Sequence, residues 1–437
     1  MKEYKDMLIT ADEAVKMVKS GDHIVTGLGA SEGKEFLSKL HTIAEEIEDV
    51  TISNCLPMSN FDFFKEEYSD KFNIDGWFYA PALRKIHNNG NASYIPNHLH
   101  LAGASRFEHR KPNIYVGSCT VVDRHGFVSL STGNTYEKLA IDNADLVILE
   151  ANENFPRTFG DVEVHLDEID YIIEADYPIP TVPDVEPNEK DMKIGEIIAD
   201  LIPDGATLQL GIGGIPNAVA KFLYSKKDLG IHTEMLTSEM AKLAKAGVIN
   251  GRKKTLNPGK MVTTFILGTD ELYDFVDENP SVMVMNGGYT NDPKIIAQND
   301  NMYSINTAVE VDITGQVASE SIGPKQISGT GGQSDTARGA RESKGGRSII
   351  ALYSTAMIRN KETGIKEEKS KIASILTPGA AVTLHRSDVD IVVTEYGWVD
   401  LRGTTIRERV EKLVSIAHPD FREDILREAR EYGIIGR

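Results

Sequence analysis

Glu234 offers a carboxylate at a strand-to-helix turn, where open α/β sheets place their sites. It lies in LGIHTEM (229–235), after a short apolar run and before a helix that opens at Thr237 or Ser238. A carboxylate between apolar residues at a strand end is unusual for a solvated face. It reads either as a reactive acid or as a loop or helix N-terminal charge. Glu239, inside the following helix, reads as a surface residue. Upstream, the strand 207–210 stops at Gly211, Gly213 and Gly214, and Pro216 then suits the first turn of a helix. This turn reads either as backbone brought close to a ligand or as a tight connection needing positive φ. GIGGIPN lacks the third glycine of the dinucleotide fingerprint, which argues against a nicotinamide or flavin oxidoreductase. A third stretch, SGTGGQ (328–333), places Gly329, Gly331 and Gly332 within four residues. It is either a loop that must approach something closely or a flexible hairpin tip. Arg338, Arg341, Lys344 and Arg347 follow it. They face a phosphorylated ligand or, as we prefer for most of them, solvent.

The elements that must position these groups read as two related α/β halves. In the first, strands at 23–26 and 50–53 flank a glycine turn and a long helix over 31–46, a βαβ unit. Residues 61–109 read as loops with short helices, a segment suited to line a pocket. Strands follow at 113–122, 126–130 and 146–149. Pro178, Pro180, Pro183 and Pro187 then break regular structure and mark a linker, and a helix over 189–201 opens the second half. Three landmarks recur in order: Gly27–Ala30 with Gly211–Gly214, DRHGFV (123–128) with DITGQV (312–317), and DLVILE (145–150) with DIVVTE (390–395). We therefore expect a duplicated fold with domains at 1–183 and 188–437. The first half's counterpart of the Glu234 strand ends near Asn54, so only the second half carries the acid.

Composition narrows the function. A formal net charge of −19 argues against nucleic acid or an anionic membrane as partner. It leaves room for an anionic small ligand at helix N-termini. The two cysteines, Cys55 and Cys119, form no CxxC, and the eleven histidines show no metal-ligand spacing, so no metal is expected. His98 and His100 read as ordinary loop histidines. No GxSxG elbow accompanies a Ser-His-Asp set. The N-terminus lacks an apolar signal region and no stretch suits a membrane span, which points to the cytoplasm.

With these stretches in view, the chain resembles the acetyl-CoA hydrolase/transferase family of class I CoA-transferases over nearly its whole length. LQLGIGGIPNAV (208–219), LGIHTEM, YTNDP (289–293), GGQSD (331–335), VVTEYG (392–397) and IAHPDFR (416–422) carry the likeness. The resemblance implies two tandem α/β domains with largely parallel sheets. It makes Glu234 the residue that becomes a glutamyl-CoA thioester, with Gln209, Leu210, Gly211, Ile212, Gly213, Val309, Ser328, Gly331 and Gly332 as CoA contacts. Ala356-Met357-Ile358 departs from the family, whose members tend to carry a lysine there; Arg359 is a substitute. The implied activity moves CoA from a short-chain acyl-CoA, butyryl or 4-hydroxybutyryl, to acetate or a similar carboxylate, in a homo-oligomer of two or four chains with no tightly bound cofactor. Hydrolysis of acyl-CoA by the same glutamate, and non-catalytic CoA binding, are the alternatives. Such chemistry needs amide donors for a tetrahedral oxyanion, near Gly331 and Gly332 or near Gly213. A carboxylate is ionised at neutral pH, so no large pKa shift is expected of Glu234.

Overall fold

Short, fully buried apolar runs that end in glycine turns become the central strands of two sheets. The computed structural model describes residues 4–359 and 364–436. The first sheet contains β1 (His23–Thr26), β2 (Val50–Asn54), β3 (Phe72–Gly76), β4 (Ala92–Tyr94), β5 (Ile114–Cys119), β6 (Leu146–Asn152) and β7 (Tyr171–Ala175). Its order is β4-β3-β2-β1-β5-β6-β7, parallel throughout. The second contains β8 (Thr207–Leu210), β9 (Gly230–Ile231), β10 (Met302–Thr307), β11 (Arg347–Ala351), β12 (Ile391–Thr394) and β13 (Gly397–Asp400). Its order is β9-β8-β10-β11-β12-β13, and only the β12–β13 pair is antiparallel. The helices that matter for the site are α1 (Lys34–Lys39), α2 (Glu137–Asn143), α3 (Glu189–Leu201), α4 (Gly214–Phe222), α5 (Ser238–Lys245), α6 (Gly287–Thr290) and α7 (Gln333–Glu342). One buried cluster runs from Val25 and Leu149 of the first sheet to Leu208 and Ile305 of the second, so the halves share a core.

The repeat is visible in the strand orders, since β2-β1-β5-β6-β7 and β9-β8-β10-β11-β12 match place by place. The glycine turn follows the central strand in both. The Asp-x-x-Gly turns also coincide: the Asp123 amide donates to the Phe127 carbonyl and the Asp312 amide to the Gln316 carbonyl, with Gly126 at φ 83° and Gly315 at φ 96°. The third expected landmark pair is corrected. β6, which carries DLVILE, neighbours β5, and the strand beside β10 is β11; β12, which carries DIVVTE, is the counterpart of β7 instead. Both runs are buried parallel strands, so their sequences look alike at different places in the sheet.

Two further expectations change. The helix expected over 31–46 is broken. Glu32 is extended and bridges Gly117, so helix begins only at Lys34, and Leu40–Glu46 continues as a 3-10 turn. Residues 61–109 contain β3 and β4 as well as short helices. The connector before α3 is irregular as expected, and Asn188 starts that helix with a capping box on Asp191.

Candidate active site

Parallel pairing places Glu234 at a seam. β9 runs beside β8, with Leu208 opposite Ile231. The chain then leaves that sheet: His232 bridges Val262, and Met235–Leu236 pairs with Phe265–Ile266. Glu234 lies between, and its carbonyl accepts from the Thr264 and Phe265 amides at 3.0 and 3.1 Å and from Thr263 Oγ1 at 3.0 Å. Three donors on one carbonyl hold the backbone, which leaves the side chain to be aimed by its own partners.

Those partners come from two helix ends. Asn291, just after α6, donates from Nδ2 to Glu234 Oε2 at 3.3 Å. The Gly332 amide, at the N-cap of α7, also donates to the carboxylate. His232, two residues before the acid, fixes α6 by donating from Nε2 to the Thr290 carbonyl at 2.8 Å. Buried and beside Lys254, this imidazole is pushed down to about 3, so it is neutral and offers no proton to the chemistry.

The carboxylate faces a cavity of about 270 Å³ between the two halves. Leu28, Cys55, Leu56, Trp77, Phe78 and Leu99 of the first half give it an apolar wall. The opposite side is Gln209–Ile212 and the Ser328–Gln333 loop, with Asn306 and Thr307 between. The segment 61–109 therefore lines the pocket, as expected. It also shapes the glycine loop: the Tyr79 amide donates to the Ser328 carbonyl at 3.2 Å, Tyr94 Oη accepts from the Thr330 amide at 3.0 Å, and Arg84 reaches the Ile327 carbonyl. Two of the loop's glycines are sterically required. A Cβ on Gly329 would meet the Trp77 carbonyl, and one on Gly332 would overlap Glu234 Oε2 and Asn291 Nδ2.

Of the residues expected at the site, Gln209, Leu210, Gly211, Ile212, Glu234, Ser328, Gly331 and Gly332 meet at this cavity. Gly213 and Val309 lie outside its lining. Gly213, at φ 110°, caps α4, and the Val309 amide donates to the Ala318 carbonyl. The glycine turn is also less bare than expected. The buried Asp191 carboxylate lies against Gly214 at the start of α4. That helix end therefore already faces a negative charge. Of the basic residues after the loop, Arg338 and Lys344 are exposed, Lys344 lying 3.6 Å from Asp300, while Arg341 pairs with the buried Asp390 at 3.2 Å. Arg359 donates to the Gly364 carbonyl, away from the cavity. Glu239 is no open surface residue, since its side chain is 13% exposed and bound to Lys242. Among the described residues no group of three or more His, Cys, Asp or Glu could hold a metal, and no helix is long and apolar enough to cross a membrane.

Models of the acetyl-CoA hydrolase/transferase N-terminal and C-terminal domains match residues 1–183 and 268–429. The chain is 43% identical to the 4-hydroxybutyrate coenzyme A transferase of Clostridium kluyveri, over 98% of either chain. It belongs to the acetyl-CoA hydrolase/transferase family. A succinyl-CoA:cyclohexane-1-carboxylate CoA transferase of Geobacter metallireducens is 40% identical over 98% of this chain and 96% of its own. The crystal structure of RipA from Yersinia pestis matches with a TM-score of 0.92 at 34% identity, covering 99% of both chains.

Within this family fold, two features of the acid escaped the sequence. Its pKa is not ordinary: burial first, and then the nearby Asp335 carboxylate, push Glu234 up to about 7, against the hydrogen bonds from Asn291 and Gly332. The resemblance makes the ionised form of Glu234 the attacking group, and on that expectation kcat/KM for an acyl donor rises with pH through an acid limb near 7. The same shift makes a stability prediction. Between the unfolded value of about 4.5 and the folded value near 7, the native state binds the extra proton, so stability falls as pH rises. Glu234→Gln removes that loss. It should raise unfolding stability at pH 8 by on the order of 3 kcal/mol, read as a higher melting temperature, and much less at pH 5.

The second missed feature is Cys55. Counting from the strand registers, Ile52 opposite Ile24 and Ile231 opposite Leu208, places Cys55 where the second half has Glu234. Both line the cavity. The sequence comparison pointed to Asn54, one residue short.

Proposed function

We propose that the chain is an acyl-CoA:carboxylate CoA-transferase working through a glutamyl-CoA thioester on Glu234. The observation that carries this reading is a single carboxylate facing a cavity walled by both halves, with the Gly332 amide and the Asn291 amide group against its oxygens. Ionised Glu234 attacks the thioester carbonyl of the donor, forming an acyl-glutamyl anhydride and expelling CoA thiolate. The thiolate attacks the glutamyl carbonyl, which releases the donor's acid and leaves the enzyme thioester. The acceptor carboxylate then attacks that thioester, expelling thiolate and forming a new anhydride. Thiolate attack on the acceptor's acyl carbon returns Glu234 and yields the new acyl-CoA. No proton moves, which suits a site where His232, two residues from the acid, is neutral and tied to a carbonyl.

Each addition places negative charge on a carbonyl oxygen, and the Gly332 amide at the N-terminus of α7 is the donor aimed closest to it. Backbone at Gln209–Ile212 and the 328–331 loop forms the approach for the pantetheine arm. The apolar wall of Leu28, Leu56, Trp77 and Leu99 receives the acyl chain and excludes water from the thioester. The substrates that fit this reading are short-chain acyl-CoAs, butyryl or 4-hydroxybutyryl, with acetate as acceptor. The test is a panel of acyl-CoA donors against short carboxylates, with borohydride reduction of the enzyme after donor treatment. Exchange that depends on the acceptor, and a reduced Glu234 peptide, are the expected results. CoA release that ignores acetate would mean hydrolysis, and donor binding without a modified peptide would mean a binding protein.

A further inference from the structure

Two residues read as ordinary loop histidines turn out to sit on Asp335, a buried acid whose charge is felt at the Glu234 carboxylate. Asp335 lies in the first turn of α7, three residues past Gly332, with its side chain 2% exposed. From the first half, His100 donates twice to it, from Nδ1 to Oδ1 at 2.8 Å and from its backbone amide to Oδ2 at 3.1 Å. The His98 ring stacks on that of His100 with centroids 5.8 Å apart and brings its Nδ1 to 3.6 Å from the same oxygen. The intervening residue, Leu99, lines the catalytic cavity. The His100 carbonyl lies beside Gly288 of α6. One turn of the first half thus touches both elements that hold Glu234, the α6 end bearing Asn291 and the α7 end bearing Gly332.

We infer that His100 is a positioning residue for the transfer reaction: its imidazolium, bonded to Asp335, partly offsets the charge that opposes ionisation of Glu234 and clamps the α7 N-terminus in place. The inference rests on the glutamyl-thioester reading and adds to it a residue from the other half of the molecule. The groups facing the pair are few. His100 meets Asp335 and, at longer range, Asp292 before Pro293 and Arg338 of α7; Asp335 meets His98, His100 and Glu234. The Asp335 hydrogen bond outweighs the cost of half-burial and Arg338, so the His100 imidazole is raised above its ordinary value. The physical logic is that of three charges in a row. A bare Asp335 raises the proton affinity of Glu234; an Asp335 paired with a cation does so less.

The experiment measures kcat/KM for the acyl donor from pH 5 to 9 in the full-length wild type, His100→Gln and Asp335→Asn, with thermal melts for each. Glutamine keeps a donor toward Asp335 but no charge, so the acid limb of His100→Gln should move up by about one pH unit. Asp335→Asn removes the opposing charge, and its limb should move down by a similar amount. Shifts of opposite sign are the expected result. A purely structural role would lower turnover in both variants with the limb unmoved, and that outcome, or shifts of the same sign, overturns the inference. A melt showing either variant unfolded moves the comparison to His100→Asn and Asp335→Ser, judged by the same signs. Absence of exchange in the wild type with every donor would instead sink the transferase reading, which separates the two failures.

Discussion

Glu234→Ala is expected to lose CoA exchange by about 10⁴-fold or more, with the fold intact, because no neighbouring group can replace the nucleophile. Cys55 lines the same cavity, yet burial and the nearby acids hold its thiol well above the ordinary value, so it is protonated across the working range. The Glu234 backbone is anchored through its carbonyl rather than its side chain, which is why the alanine variant should melt near the wild type. The discriminating measurement is enzyme–CoA adduct formation followed by mass after donor treatment. An adduct still formed at near-normal rate by the alanine variant would place the thioester elsewhere.

The second large effect is expected at Gly332. Its φ of −94° is open to any residue, so Gly332→Ala costs nothing in backbone strain. Its Cβ, however, would occupy the space of Glu234 Oε2 and Asn291 Nδ2. The carboxylate and the donor amide must part, and kcat should fall by roughly 10²–10³-fold, the range seen when an oxyanion donor is lost. Gly331 is the internal comparison. There φ is 53° and an added Cβ stands 3.6 Å from Glu234 Oε1, in ordinary contact. Gly331→Ala should therefore cost roughly 1 kcal/mol of stability through backbone strain and leave much more of the turnover. Steady-state kinetics and melting of the two variants read this contrast. Equal kinetic losses would mean that the loop acts through its conformation alone.

What the sequence discloses and what it hides divide along one physical line. The two glycine stretches and the strand-end position of Glu234 were legible because local pattern marks them: glycines where no core element tolerates them, and a charge after an apolar run. The reactive role of Glu234 came from the whole-chain resemblance, since its own pattern fits a loop charge at least as well. β1, β8 and α3 were legible because their boundaries are set by neighbours in the chain, as in the Asn188 cap. The partners of the acid were not. Asn291 lies 57 positions from Glu234, and His100 lies 235 from Asp335. Both belong to polar stretches that look like any loop until the sheets bring them together. The helix over 31–46 was misread for the same reason, since the bridge from Glu32 to Gly117 that interrupts it is tertiary. The raised pKa of Glu234 follows first from burial and then from Asp335, and no spacing in the sequence reveals either. Identical patterning of β6 and β12 misplaced a landmark because a buried parallel strand carries no label for its position in the sheet.

The pairing of Cys55 with Glu234 has an electrostatic corollary. A molecule built from two faithful copies would bring two carboxyl groups to one small apolar chamber, and each would hold the other's proton. Having sulfur, uncharged, at one of the two equivalent corners spares the remaining acid that mutual suppression. Asymmetry between the copies is in this sense what lets a dry compartment contain a usable anion.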